Sequence, residues 1–98
     1  MIFMNLVILT GVVKKDPLIS IENISNNNIK KSIFVLGVKF LSRGIEKNLD
    51  LEVTFWGNKA DKVEQFVKKD TFVTVLGTLG LSANDKMSLT ISGKILYL

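Results

Sequence analysis

Residues 49 to 57, LDLEVTFWG, constrain the fold more than any other stretch of the chain. Side chains on a strand alternate between its two faces, so Leu49, Leu51, Val53 and Phe55 share one face. Asp50, Glu52, Thr54 and Trp56 share the other. One face is wholly apolar and must meet a core; the other sets the only Trp of the chain beside polar groups. An indole on a solvent-side face is either a partner contact or a stacking platform. Directly behind the strand, NKADKVEQFVKK at 58 to 69 carries Ala60, Val63, Phe66 and Val67 at helical spacing. Asn58 is its expected N-cap, Asp61 suits the positive end of the helix dipole, and Lys68 and Lys69 suit the negative end.

With 98 residues the chain is one small domain over 1–98, near the lower size at which a single core suffices. The apolar share of 47% is generous for so small a body and points to surface covered by another subunit. A net charge of +4 leans towards polyanions, although lysines also serve plain solubility. The absence of Cys excludes disulfides, thiolate chemistry and zinc–sulfur sites, and the absence of His removes the usual neutral-pH general base and the commonest metal ligand. No catalytic residue, metal site or cofactor is expected. No apolar run approaches the ~20 residues of a membrane span, and MIFMNLVIL lacks the basic leader of a signal peptide. The expectation is an intracellular, cytoplasmic protein with no membrane partner.

The first strand, NLVILTGVV at 5 to 13, is apolar on both faces: Val7, Leu9 and Val13 on one, Leu6, Ile8 and Val12 on the other. A strand covered on one side only would alternate, so Leu6, Ile8 and Val12 are assigned to an oligomer interface. Gly11 predicts a bulge or sharp bend, and Asp16-Pro17 a firm boundary. Residues 18 to 23 suggest a short strand and 24 to 32 a loop, with SIFVLGVKFL at 32 to 41 the second long strand. A hairpin loop over 42 to 48, containing Arg43, Gly44 and Lys47, leads into the strand at 49. TFVTVLGTLGL at 71 to 81 is the fourth long strand and SANDK at 82 to 86 a turn. The last strand, from Met87 to Tyr97, is expected to turn Ile91, Ile95 and Tyr97 inward.

Three strands, a helix and two more strands is the order of the OB-fold, a partly open five-stranded Greek-key barrel: all-β with one short helix. Several segments also resemble a family. NLVILTGVVKKDP is similar to the opening of bacterial single-stranded DNA-binding proteins, where such a strand ends in a glycine, a loop and Asp-Pro. VTFWG, the helix after it and TFVTVLGTL resemble their third strand, helix and fourth strand; SIFVLGVKF resembles their second. The small primosomal replication protein built on the same fold matches the same segments. The resemblance implies that Trp56 stacks on a base, with Phe40 near a second stacking position, although Phe40 shares its parity with Phe34 and fits a core role equally. Cations in the loops (Lys30, Lys31, Arg43, Lys47, Lys86) and on the second strand (Lys39) would follow the phosphate backbone.

Departures from the family pattern stand beside these matches. Asp50 occupies a place where the family often has another aromatic, Asp50 and Glu52 share the face of Trp56, and Asp70 replaces the glycine after the helix. No C-terminal acidic tail is expected beyond the last strand. The leading reading is a single-stranded DNA-binding protein acting in replication, recombination or repair, a homo-oligomer (dimer or tetramer) of the nucleoid with replication proteins as further partners. The alternatives are a primosome-like accessory factor and an interaction module with weak nucleic-acid binding.

Overall fold

The computed structural model describes residues 4–81 and 89–97. Their elements are β1 (Val7–Val13), β2 (Leu18–Ile24), β3 (Asn27–Ser42), β4 (Ile45–Trp56), α1 (Asn58–Phe66), β5 (Phe72–Leu81) and β6 (Leu89–Tyr97). One sheet runs in the order β1-β5-β6-β4-β3-β2. It curls until β1 meets β3 again, pairing Val12 with Gly37 and Val13 with Leu36. Five strands thus form the expected OB barrel, and β2 is added outside it as the partner of β3. Closure depends on Gly11, where a Cβ would lie 2.2 Å from the carbonyl oxygen of Gly37; only a residue without a side chain lets the backbones approach this closely.

The two connections expected as loops are far tighter. The segment 24–32 is mostly strand: β2 and β3 are paired from Leu18↔Ile33 to Ile24↔Asn27, around a turn with positive φ at Ser25 and Asn26. The segment 42–48 is likewise strand on both sides of Arg43 and Gly44, whose φ values are 53° and 77°. Left-handed geometry at both central residues matches the right-handed twist of the strands they join, so two residues suffice where seven or nine were expected. Polar strand residues at Asn27, Asn28, Glu46 and Asn48 hid these extensions, since they read as turn composition.

The core is one cluster in which Phe34, Leu36, Val53, Phe55, Val73, Val75 and Ile91 are fully or almost fully buried. The Phe34 and Phe55 rings lie parallel, 6.3 Å apart. Ala60, Val63 and Val67 close one end of the barrel. Phe66, expected on that face, is exposed because the helix ends there and the chain turns away through extended Val67. The N-cap is Gly57, not Asn58, which is already the first helical residue and makes no capping bond. Lys68 and Lys69 lie beyond the last turn and do not sit on the helix dipole. Asp70 adopts φ 71°, the left-handed conformation that a glycine there would supply, and its N–H donates to the Val13 carbonyl.

A register shift between Leu76 and Gly77 corrects the reading of the last strand. Gly93 faces Gly77 but Ile95 faces Leu76, so Lys94 is an extra residue and the inside–outside alternation inverts after it. Leu96 is buried, whereas Ile95 and Tyr97 are exposed. The turn at 82–86, Met87 and Lys86 lie outside the described residues.

Candidate nucleic-acid interface

The paired strands β3 and β4 form the longest element of the sheet, in register from Lys31↔Trp56 to Ser42↔Ile45. Phe34, Leu36, Leu51, Val53 and Phe55 point into the barrel, so the other parity of both strands makes up its outer face. On that face Trp56 stands beside Lys31, Thr54 beside Ile33, Glu52 beside Val35, Asp50 beside Gly37, Asn48 beside Lys39 and Glu46 beside Leu41. The expectation from alternation holds for the indole, which is 39% exposed. It also holds for Leu51, Val53 and Phe55, while Leu49 is exposed because the barrel wall ends below it.

Charge is segregated along this face. The β3 side carries Lys31 and Lys39, and the β4 side carries Glu46, Asp50 and Glu52. Adjacent strands are about 4.8 Å apart, well inside a Debye length of about 8 Å, so neither row is screened from the other. Lys39 reaches Glu46 at 3.1 Å, with both side chains largely solvated, an ion pair of little strength. The Lys31 ammonium lies 5.2 Å from the centre of the Trp56 ring, a cation–π contact that steadies the exposed indole.

The sequence-predicted cations do not all share this face. Lys30 has the opposite parity: its ammonium contacts Asp61 at 2.6 Å and Glu64 at 3.0 Å, tying β3 to α1. Hydrogen bonds to Asp61 first, then Glu64, hold the Lys30 pKa above its usual 10.5. Phe40 and Lys47 face each other on the inner parity, in the part of the ribbon that projects beyond the barrel, so Phe40 is half exposed although it follows Phe34 and Leu36. Arg43 stands at the tip of that ribbon. Trp56 and Lys31 are therefore brought together and Lys39 shares their face further along β3, whereas Lys30, Phe40 and Lys47 are turned from it.

Lys14 joins the outer face without any sequence signal. Its N–H donates to the Val35 carbonyl at 2.9 Å, and its stem crosses the bare backbone of Gly37. Neither the strand pattern nor the loop composition reveals this crossing, because it depends on β1 closing against β3. No group of three or more acidic residues among the described residues is placed to hold a metal ion, and no described helix is long and apolar enough to cross a membrane.

The fold is that of bacterial single-stranded DNA-binding domains. The chain is similar to the SSB domain of a Synechococcus protein at a TM-score of 0.74 and 18% identity, covering 100% of this chain and 99% of that one. It is similar to the second single-stranded DNA-binding protein of Mycobacterium smegmatis at 0.74 and 20%, covering 96% and 87%. A small single-stranded DNA-binding protein of Streptomyces coelicolor matches at 0.75 and 15%, covering 98% and 93%. No family model and no curated protein sequence matches the chain.

Proposed function

We propose that this protein binds single-stranded DNA along the outer face of β3 and β4, with Trp56 stacking on a base and lysines on the β3 side meeting phosphates. The observation that carries the reading is the exposed indole beside Lys31, on the long ribbon of a barrel shared with single-stranded DNA-binding domains. Stacking on an aromatic accepts any base, so binding is sequence-tolerant. Exposed bases exist only in single strands, which sets the preference over duplex. Arg43, at the tip of the ribbon, extends the basic surface, and replication, recombination or repair is the setting such binding serves. Titration with labelled oligo-dT and with duplex of equal length tests this. With about three phosphates neutralised at a slope of about −0.7 each, affinity falls roughly twentyfold between about 50 and 200 mM salt. A flat salt response or equal affinity for duplex overturns the reading.

The same fold supports assembly into a homo-oligomer. Ile8 is 63% exposed and Phe72 73% exposed, and with Leu6, Val12, Leu76, Ile95 and Tyr97 they surround the hydrogen-bonded Thr10–Thr74 pair on the outer face of β1, β5 and β6. Among the described residues the second edge of β1 is unpaired before Val12. A second copy covers both the apolar face and the open edge. Light scattering that returns the monomer mass of 10.9 kDa at micromolar concentration refutes this.

One observation favours a second reading, an accessory factor that binds a replication protein as well as DNA. The row Glu46, Asp50 and Glu52 repels phosphates, and the projecting ribbon exposes Phe40, Leu41 and Ile45. Retention of a replication protein by the wild type, lost in Asp50→Lys with oligo-dT affinity unchanged, supports this second reading.

A further inference from the structure

We infer that Lys14 is a phosphate-binding residue of the outer face, and that Gly37 is the saddle that seats it there; this rests on the single-stranded DNA reading above. A Cβ built on Gly37 would lie 2.3 Å from Cε of Lys14 and 3.2 Å from its Cδ, so the aliphatic stem rests on the glycine backbone. That contact accounts for the burial of Gly37, although it belongs to the outward parity of β3. The root of the side chain is fixed independently, since the Lys14 N–H is bonded to the Val35 carbonyl and β1 closes on β3 one residue earlier.

The placement has an electrostatic consequence. Gly37 is the cross-strand partner of Asp50, so the lysine stem crosses the sheet beside a carboxylate of the acidic row. Among the described residues Lys14 forms no ion pair, unlike Lys30 and Lys39. Its charge is therefore available to a ligand. It also lies between Lys31 and Lys39 along β3, which turns two separated cations into a row of three. A long flexible stem laid on a flat backbone keeps the ammonium near the surface while leaving it free to meet a solvated phosphate. A DNA backbone following the β3 side meets this row and keeps its phosphates off the carboxylates of β4.

The test is a salt-dependent oligo-dT titration of the wild type, Lys14→Gln, Gly37→Ala and the double variant. Removal of one phosphate contact lowers the slope by about 0.7, so the loss between about 50 and 200 mM salt shrinks from roughly twentyfold to roughly sevenfold. Referred to 1 M salt, Lys14→Gln binds about eightfold more weakly at about 50 mM and about threefold more weakly at about 200 mM. Gly37→Ala pushes the stem off its seat and reproduces part of this loss with Lys14 still present, and the double variant binds no more weakly than Lys14→Gln. Lys59→Gln, on α1, leaves the slope unchanged. An unchanged slope in Lys14→Gln overturns the assignment while the wild type still binds DNA. Additive losses in the double variant overturn the saddle. Should Gly37→Ala fold poorly, Lys14→Gln with its backbone intact still decides. A wild type that does not bind oligo-dT overturns the DNA reading, and Lys14 with it.

Discussion

Replacing Trp56 by Ala isolates the group on which the binding reading depends. Aromatic stacking is worth about 1–3 kcal/mol per base. Part of that is offset here, because the Lys31 ammonium already occupies the ring at 5.2 Å. A base arriving on the same face forfeits the cation–π contact, about 0.5–1 kcal/mol at an exposed site. The net cost of Trp56→Ala is then up to about 2.5 kcal/mol, a loss of up to about 70-fold in affinity. Trp56→Phe keeps a ring and loses less. Fold stability changes little, because the indole stands on the outer face rather than among Phe34, Phe55 and Val53. Fluorescence anisotropy of labelled oligo-dT measures the affinities, and far-UV circular dichroism checks the fold. As the only Trp of the chain, the wild-type indole reports directly through quenching at saturation. Unchanged affinity in Trp56→Ala together with an unquenched wild type refutes the stacking geometry. Unchanged affinity with a dissociated oligomer instead makes Trp56 an interface residue.

Asp50→Lys exchanges a repelled charge for an attractive one on the same face, so oligo-dT binding tightens and its salt slope steepens by about 0.7; weaker binding refutes the path drawn over β3 and β4. Gly11→Ala drives a Cβ against the Gly37 carbonyl and costs about 1–3 kcal/mol, lowering Tm in a thermal melt by about 5–20 °C. The raised pKa of Lys30 means that its tie to Asp61 and Glu64 stabilises the fold fully below the unfolded value of 10.5 and is lost as pH rises through the folded value. Urea denaturation from about pH 9 to 11.5 reads that loss, and Lys30→Met removes this part of the pH dependence. Ile8→Lys places a charge in the apolar outer face of β1 and shifts light scattering towards the monomer.

Much of the fold was legible because periodicity is local. The alternation of LDLEVTFWG placed Leu51, Val53 and Phe55 inside and Trp56 outside, and the spacing of Ala60, Val63 and Val67 set the buried face of α1. Those patterns depend only on strand and helix geometry, which each segment carries by itself. The tertiary structure decided whatever depended on a partner far along the chain. Asn27 to Lys31 are strand because Leu18 to Ile24 lie alongside, not because of their own composition. Ile95 and Tyr97 turn outward because one bulged residue, opposite Leu76 and Gly77, inverts a parity that no local pattern reveals. Lys30 reads locally as one more loop cation, and only the docking of α1 brings Asp61 and Glu64 to it. Lys14 has its place on the outer face only because barrel closure lays it over Gly37. Backbone pairing and ion pairing join residues by distance in space, and for this chain that distance is fixed only once β1 closes on β3.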